Sequence, residues 1–223
     1  MTIDKDVQKK IAAHPLFEGV ARSQLNWLLN VGQAQSLPKQ AYLYHRGDQS
    51  GSLYVLLTGH IKLSVPAERG SEKVLEFLGP GDVFGESALL PGTTLIADAQ
   101  ALQTCELLVI AAADVMTVVT RAPFLAQKML ANLSKRVQAL FRDMESVSLL
   151  SAAQRVAEYL LRQPREGNQA HLPYHKRAIA SKLGLQPETF SRSLQQLAAD
   201  GLISVRGAKV VIHDADKLQA MLA

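Results

Sequence analysis

The clearest pattern in the chain is a narrow apolar stripe: Leu130, Leu133, Val137, Leu140, Met144 and Val147 recur at alternating spacings of 3 and 4. That is the a/d seam of a coiled coil. No glycine or proline falls between Phe124 and Leu150, so the spacing predicts one long helix there. A helix of that length with so narrow a stripe predicts pairing with a second copy of itself. The flanking residues Leu125 and Phe141 also fit a different arrangement, a helix laid along its own sheet.

From about Ala41 to Ile110, apolar runs such as "LYVLLTGHIKLSV", "KVLEFLG" and "TCELLVI" alternate with glycines, among them Gly47, Gly59, Gly79 and Gly92. Short β-rich runs with regular turn signals predict an antiparallel sandwich or jelly roll. Before them, "DVQKKIAAHPLFEGVARSQLNWLLNVG" has helical apolar spacing broken at Pro15. After the long helix, "AAQRVAEYLLRQ" reads as an amphipathic helix, followed by a polar connector with Pro164 and Gly167. Two short helices around Gly184 and a basic hairpin, "LISVRGAKVVIHD", complete the chain. That succession is a winged helix-turn-helix. The expected fold is α+β: a β jelly roll over 1–120, a dimerisation helix over 121–148 and a winged helix-turn-helix over 149–223.

The second short helix, within "GLQPETFSRSLQQL", carries the candidate chemistry. Gly184 suits the end of the first helix and Pro187 the first turn of the second. Phe190, Leu194 and Leu197 form its buried stripe, which leaves Glu188, Ser191 and Arg192 together on another face. The bland reading is a surface salt bridge between Glu188 and Arg192, worth a few tenths of a kcal/mol. The sharper one is base reading. The first residues of the second helix of a helix-turn-helix reach the major groove. There an arginine fork matches guanine, and a carboxylate accepts from the amino group of cytosine. Lys176, Arg177, Thr189, Arg206 and Lys209 would position the domain on phosphates without reading sequence.

Charge supports double-stranded DNA as the partner. The net charge is +4, and residues 1–148 are balanced, with 14 Lys and Arg against 14 Asp and Glu. Residues 149–223 carry 10 against 6. The excess therefore lies in the helix-turn-helix third, where attraction to phosphate is useful. With 48% hydrophobic residues the composition is that of a soluble globular protein. The segment "MTIDKDVQKK" is too charged for a signal peptide, and no apolar run is long enough for a bilayer span. Cys105 is the single cysteine, which excludes an internal disulfide framework. The reading is a cytoplasmic protein with no membrane partner.

Three segments carry a family resemblance: "FLGPGDVFGESALL", the long helix leading into "AAQRVAEYLL", and "IASKLGLQPETFSRSLQQLAADGLISV". On these the chain resembles the CRP/FNR superfamily of bacterial transcription regulators over essentially its full length. The resemblance implies a cyclic-nucleotide-binding-like jelly roll acting as a sensor. Glu188-x-x-Ser191-Arg192 is similar to the recognition pattern of the FNR branch, which implies an inverted repeat of TTGAT with ATCAA. It further implies a homodimer, with RNA polymerase as a partner if the protein activates.

The resemblance also frames the effector. Cyclic-nucleotide binders of this family place a Gly-Glu before a phosphate-binding turn and an Arg-Ser pair ten residues beyond the glutamate. Gly85-Glu86 is present here, but Ile96 and Ala97 stand at the Arg-Ser positions, and no arginine occurs between Glu86 and Arg121. The positions that would meet adenine hold Leu140 and Phe141, so Glu86, Leu89, Ile96, Leu140, Phe141 and Met144 outline an apolar effector pocket. Cyclic AMP is disfavoured. A four-cysteine iron–sulfur cluster is excluded by the cysteine count. Haem is a candidate cofactor, through "HPLFEGV" and "PETFSR" segments similar to the nitric-oxide-responsive Dnr-like group. Its candidate ligands are His14 and His60, with His45 a poorer fit beside Arg46 and Asp48. Two other functions compete: a regulatory subunit of an enzyme, and a constitutive DNA-binding protein whose jelly roll only dimerises. No triad, phosphate loop or carboxylate pair supports an enzyme.

Overall fold

The structure is a computed structural model that describes residues 21–49, 51–67, 71–89, 92–121 and 123–222. The candidate ligand His14 and the break at Pro15 lie outside the described residues. The chain divides into two compact units, Met1–Arg136 and Val137–Ala223. Among the described residues no helix is long and apolar enough to cross a membrane.

Among the described residues the first unit has α1 (Arg22–Val31) and then eight strands: β1 (Gln33–Leu37), β2 (Tyr42–Tyr44), β3 (Ser52–Thr58), β4 (Ile61–Pro66), β5 (Glu72–Leu78), β6 (Val83–Phe84), β7 (Asp98–Ala101) and β8 (Cys105–Ala111). They form two four-stranded antiparallel sheets, ordered β1-β8-β3-β6 and β2-β7-β4-β5. Strand β3 explains why "LYVLL" is continuously apolar. Its side chains alternate between faces, and both faces are covered. Tyr54 and Leu56 enter the core between the sheets with Ile61, Leu78, Phe84 and Leu107. Leu53, Val55 and Leu57 pack outward against Leu25 and Leu29 of α1. Two helices follow, α2 (Ala112–Arg121) and α3 (Pro123–Leu149). Phe124 and Met129 of α3 and Val115 of α2 extend that second cluster. Cys105 is fully buried in the inter-sheet core, where burial raises its thiol pKa.

The boundary between the units falls within α3, which spans the predicted helix as one element. In the second unit, α4 (Ala152–Arg162) starts with a capping box: Ser151 accepts from the Gln154 N–H while the Gln154 side chain accepts from the Ser151 N–H. Two short strands, β9 (Arg165–Glu166) and β10 (Gln169–His171), occupy what reads in sequence as a connector. They lengthen the hairpin β11 (Ile203–Arg206) and β12 (Lys209–Ile212) into a sheet ordered β11-β12-β10-β9. Against these elements lie α5 (Lys176–Lys182), α6 (Pro187–Ala199) and a terminal α7 (Ala215–Ala220). One core unites them, with Val156, Leu160, Ile179, Phe190, Leu194, Leu197 and Leu218 buried together.

Candidate nucleic-acid interface

The turn between α5 and α6 is fixed by its backbone. Gly184 adopts φ +67° after the last residue of α5. Its N–H donates to the Ser181 carbonyl at 3.1 Å, and the Leu185 N–H donates to the Ala180 carbonyl at 2.9 Å. This is the Schellman arrangement, and the left-handed residue at its centre favours glycine. Ala180 is fully buried, so the crossing is close. Arg155 of α4 braces the turn from behind, donating to the Leu183 carbonyl at 3.2 Å and the Leu150 carbonyl at 3.0 Å. Pro187 then begins α6 at a position where its missing N–H costs nothing.

Helix α6 buries Phe190, Ser193, Leu194 and Leu197. Glu188, Thr189, Ser191 and Arg192 are exposed, as the spacing predicts. Among the described residues no ion pair joins Glu188 to Arg192, although they stand one turn apart. The same geometry is used elsewhere: Arg162 pairs with Glu158, four residues before it, at 2.6 Å. Among the described residues neither charge on α6 has an ion-pair partner.

Electrostatics separate the basic residues of this unit into two groups. Arg155, Arg162, Lys182 and Lys217 are committed inside it, Lys182 to Asp143 at 2.5 Å and Lys217 to Asp214 at 3.0 Å. Lys176, Arg177, Arg206 and Lys209 are exposed, and among the described residues none of them makes an ion pair. Lys176 and Arg177 open α5, while Arg206 and Lys209 face each other across the tip of the β11–β12 hairpin. Together with Arg192, these four put positive charge without an ion pair on the helix-turn-helix and its wing; Arg142 on α3 and Arg165 on β9 are exposed as well.

In the first unit, β6 leads into Gly85 at φ +92° and a 3-10 turn over Glu86–Ala88. A Cβ on Gly85 would lie 2.7 Å from Tyr54 Cδ2 and 2.9 Å from the Ser52 carbonyl oxygen, so only glycine fits. Glu86 is placed beside the Tyr44–Tyr54–Phe84 aromatic group, whose ring centroids are 5.3 to 6.3 Å apart. Burial first, and then the Glu86 charge, push the Tyr44 phenol pKa upward.

The partner of Glu86 is a residue that sequence reasoning missed. Arg136 of α3 donates from Nη1 to Glu86 at 2.5 Å and from Nε to Glu76 at 3.2 Å. Burial works against its charge, but Glu76 and Glu86 outweigh it, and its pKa is raised above the ordinary arginine value. Its Nη2 and the Asn132 Nδ2, one turn earlier, are buried and, among the described residues, have no hydrogen-bond acceptor. A guanidinium does reach this turn, then, but it comes from beyond Arg121 and binds two carboxylates.

Of the other residues assigned to the effector pocket, Leu89 and Ile96 share the first unit with Glu86. Leu89 packs on the helix-side cluster and Ile96 is 68% exposed. Leu140, Phe141 and Met144 belong to the second unit and are exposed. The haem-ligand candidate His60 lies in the β3–β4 turn with Nδ1 3.0 Å from Gln103 Nε2. Among the described residues no three His, Cys, Asp or Glu side chains come together to hold a metal ion.

Comparison with known proteins gives a consistent result. Residues 34–122 match the cyclic nucleotide-binding domain family, and residues 154–221 match the Crp-like helix-turn-helix domain family. The cyclic AMP receptor protein of Thermus thermophilus is 30% identical over 205 residues, covering 92% of this chain and 95% of that protein. The cAMP-activated global transcriptional regulator CRP of Haemophilus influenzae is 26% identical over 200 residues, 86% of this chain and 88% of its own. A CooA mutant from Carboxydothermus hydrogenoformans matches with a TM-score of 0.79 at 20% identity, over 89% of this chain and 90% of that one, which bears on the fold alone.

Proposed function

We propose, from the premise that this chain belongs to the CRP/FNR family of DNA-binding transcription regulators, that it acts as a homodimer on an FNR-like inverted repeat of TTGAT with ATCAA. The observation that carries this reading is that Glu188 and Arg192, at the exposed start of α6, make no ion pair among the described residues. Arg192 takes the O6 and N7 of guanine, Glu188 accepts from cytosine N4, and Ser191 adds a less selective contact. Lys176, Arg177, Thr189, Arg206 and Lys209 hold phosphates. Glu188, Ser191 and Arg192 stand as in the FNR-branch pattern, which supports the TTGAT repeat, and Pro187 before them supplies no side-chain donor of its own.

The seam supports dimerisation. Leu130, Leu133, Val137, Leu140, Met144 and Val147 are all exposed on the single chain, between 37% and 67%. An exposed apolar stripe at coiled-coil spacing is the surface a second copy would cover, and a two-fold dimer presents two recognition helices to two half-sites.

The effector on this reading is not cyclic AMP. Relatives named for cyclic AMP share the domain, but here Glu86 is held by Arg136 and Glu76 stands on its other side. A phosphate entering would meet two carboxylates and a guanidinium already shared between them, with Ile96 and Ala97 in place of a second arginine and serine. Fluorescence anisotropy on duplexes bearing TTGAT–ATCAA and TGTGA–TCACA tests the site, with and without cyclic AMP. Preference for the first, abolished by Glu188→Ala or Arg192→Ala and unmoved by cyclic AMP, is the expected result. Undiminished binding by both variants overturns the assignment of the reading face.

A further inference from the structure

The outward stripe of α6 continues past Arg192. At about 100° per residue, Gln195 lies within about 20° of Glu188 around the helix axis, between Ser191 on one side and Arg192 on the other. Its side chain is exposed and, among the described residues, makes no hydrogen bond. The adjacent Gln196 differs: turned to the flank, it donates to both carboxylate oxygens of Asp200, at 3.0 and 3.1 Å. Beyond Gln195 that side of the helix carries only Ala198 and Ala199, so nothing bulky keeps a partner away. An exposed glutamine on a helix is commonly just solvated. Here it occupies the middle of a face on which Glu188, Ser191 and Arg192, among the described residues, also make no side-chain hydrogen bond or ion pair.

We propose that Gln195 is a further base-reading residue, taking the adenine of an A·T pair next to the G·C pair read by Glu188 and Arg192. A glutamine amide matches adenine with two hydrogen bonds, its oxygen accepting from N6 and its nitrogen donating to N7. Gln195 stands three residues past Arg192, about 4.5 Å along the axis, close to the 3.4 Å step between base pairs. The length of glutamine covers the difference. The inference rests on α6 being the recognition helix.

The test is selection of duplexes from a randomised pool by the parent, Gln195→Ala, Gln195→Glu and Arg192→Ala, with thermal melts confirming that each is folded. The parent is expected to select an inverted repeat. Gln195→Ala should keep the G·C preference, lose discrimination at one A·T position per half-site, and bind the parent's site about ten-fold more weakly per half-site. Gln195→Glu, an acceptor only, should move that position toward cytosine. A base preference unchanged in both Gln195 variants, or a loss spread evenly over all sequences, overturns the inference while Arg192→Ala still alters the G·C position. If the parent selects no repeat, or Arg192→Ala leaves its preference intact, the recognition-helix reading fails and this inference falls with it.

Discussion

Replacing Arg136 by methionine keeps the aliphatic stem and removes the charge from between two carboxylates. The Arg136 side chain is only 13% exposed, while Glu86 and Glu76 are 26% and 32% exposed. Deleting one partner of a fully buried ion pair costs about 3–5 kcal/mol, whereas a surface pair is worth about 0–1 kcal/mol. The partial exposure of both acids lets water recover some of the loss, which places the expected cost near 2 kcal/mol. Trp27 is the only tryptophan and packs against the core of the first unit, so its fluorescence reports on that unit. With a urea slope of about 2 kcal/mol/M, the midpoint should fall by about 1 M. Glu86→Gln attacks the clasp from the other side, and a double-mutant cycle isolates the pair. The coupling energy is expected at about 1–2 kcal/mol. A value within about 0.5 kcal/mol of zero means that Arg136 does not hold Glu86, and Glu86 is then open to a cyclic nucleotide after all.

Three other outcomes follow from the same structure. Leu140→Glu alters a side chain that is 54% exposed on the single chain, so secondary structure should survive while sedimentation equilibrium shows a monomer with weakened repeat binding; a persistent dimer moves the interface elsewhere. Lys209→Ala should weaken specific and non-specific duplexes alike and lower the slope of log affinity against log salt by about 0.9 for each phosphate that the ammonium neutralises; an unchanged slope removes Lys209 from the phosphate set. Asp214 caps α7 by accepting from the Lys217 N–H at 2.9 Å, and that bond, with the Lys217 ammonium beside it, holds its pKa below the ordinary carboxylate value. A lowered folded value stabilises above the unfolded pKa of about 3.9 and is lost as acid protonates the group. The stability gap between the parent and Asp214→Asn should therefore close on acidification below about pH 4; a gap constant with pH contradicts the cap's charge.

Much of this architecture is legible in the sequence because single elements announce themselves. The seam of α3 is a narrow stripe on a helix without breakers, and its residues stay exposed on the chain, so no competing burial blurs the period. The Gly184 turn is legible because a left-handed helix end selects glycine. The face of α6 follows from spacing alone. Strands β9 and β10 are hidden by having two and three residues, too few for alternation to register. Helix α7 has six residues, and its one fully buried side chain, Leu218, sets no period. The Arg136 clasp is hidden for a different reason. Fifty residues separate it from Glu86, and only the folding of α3 onto the jelly roll brings them together. A search confined to the expected loop could not find it.

The side chains that would touch DNA contribute almost nothing to holding α6 in place. Phe190, Leu194 and Leu197 anchor the helix from behind, while Glu188, Ser191, Arg192 and Gln195 make no side-chain hydrogen bond or ion pair among the described residues. Exchanges there should shift folding stability by less than about 0.5 kcal/mol. A lineage carrying this domain is therefore free to rewrite its operator vocabulary, one letter at a time, without passing through an unfolded ancestor.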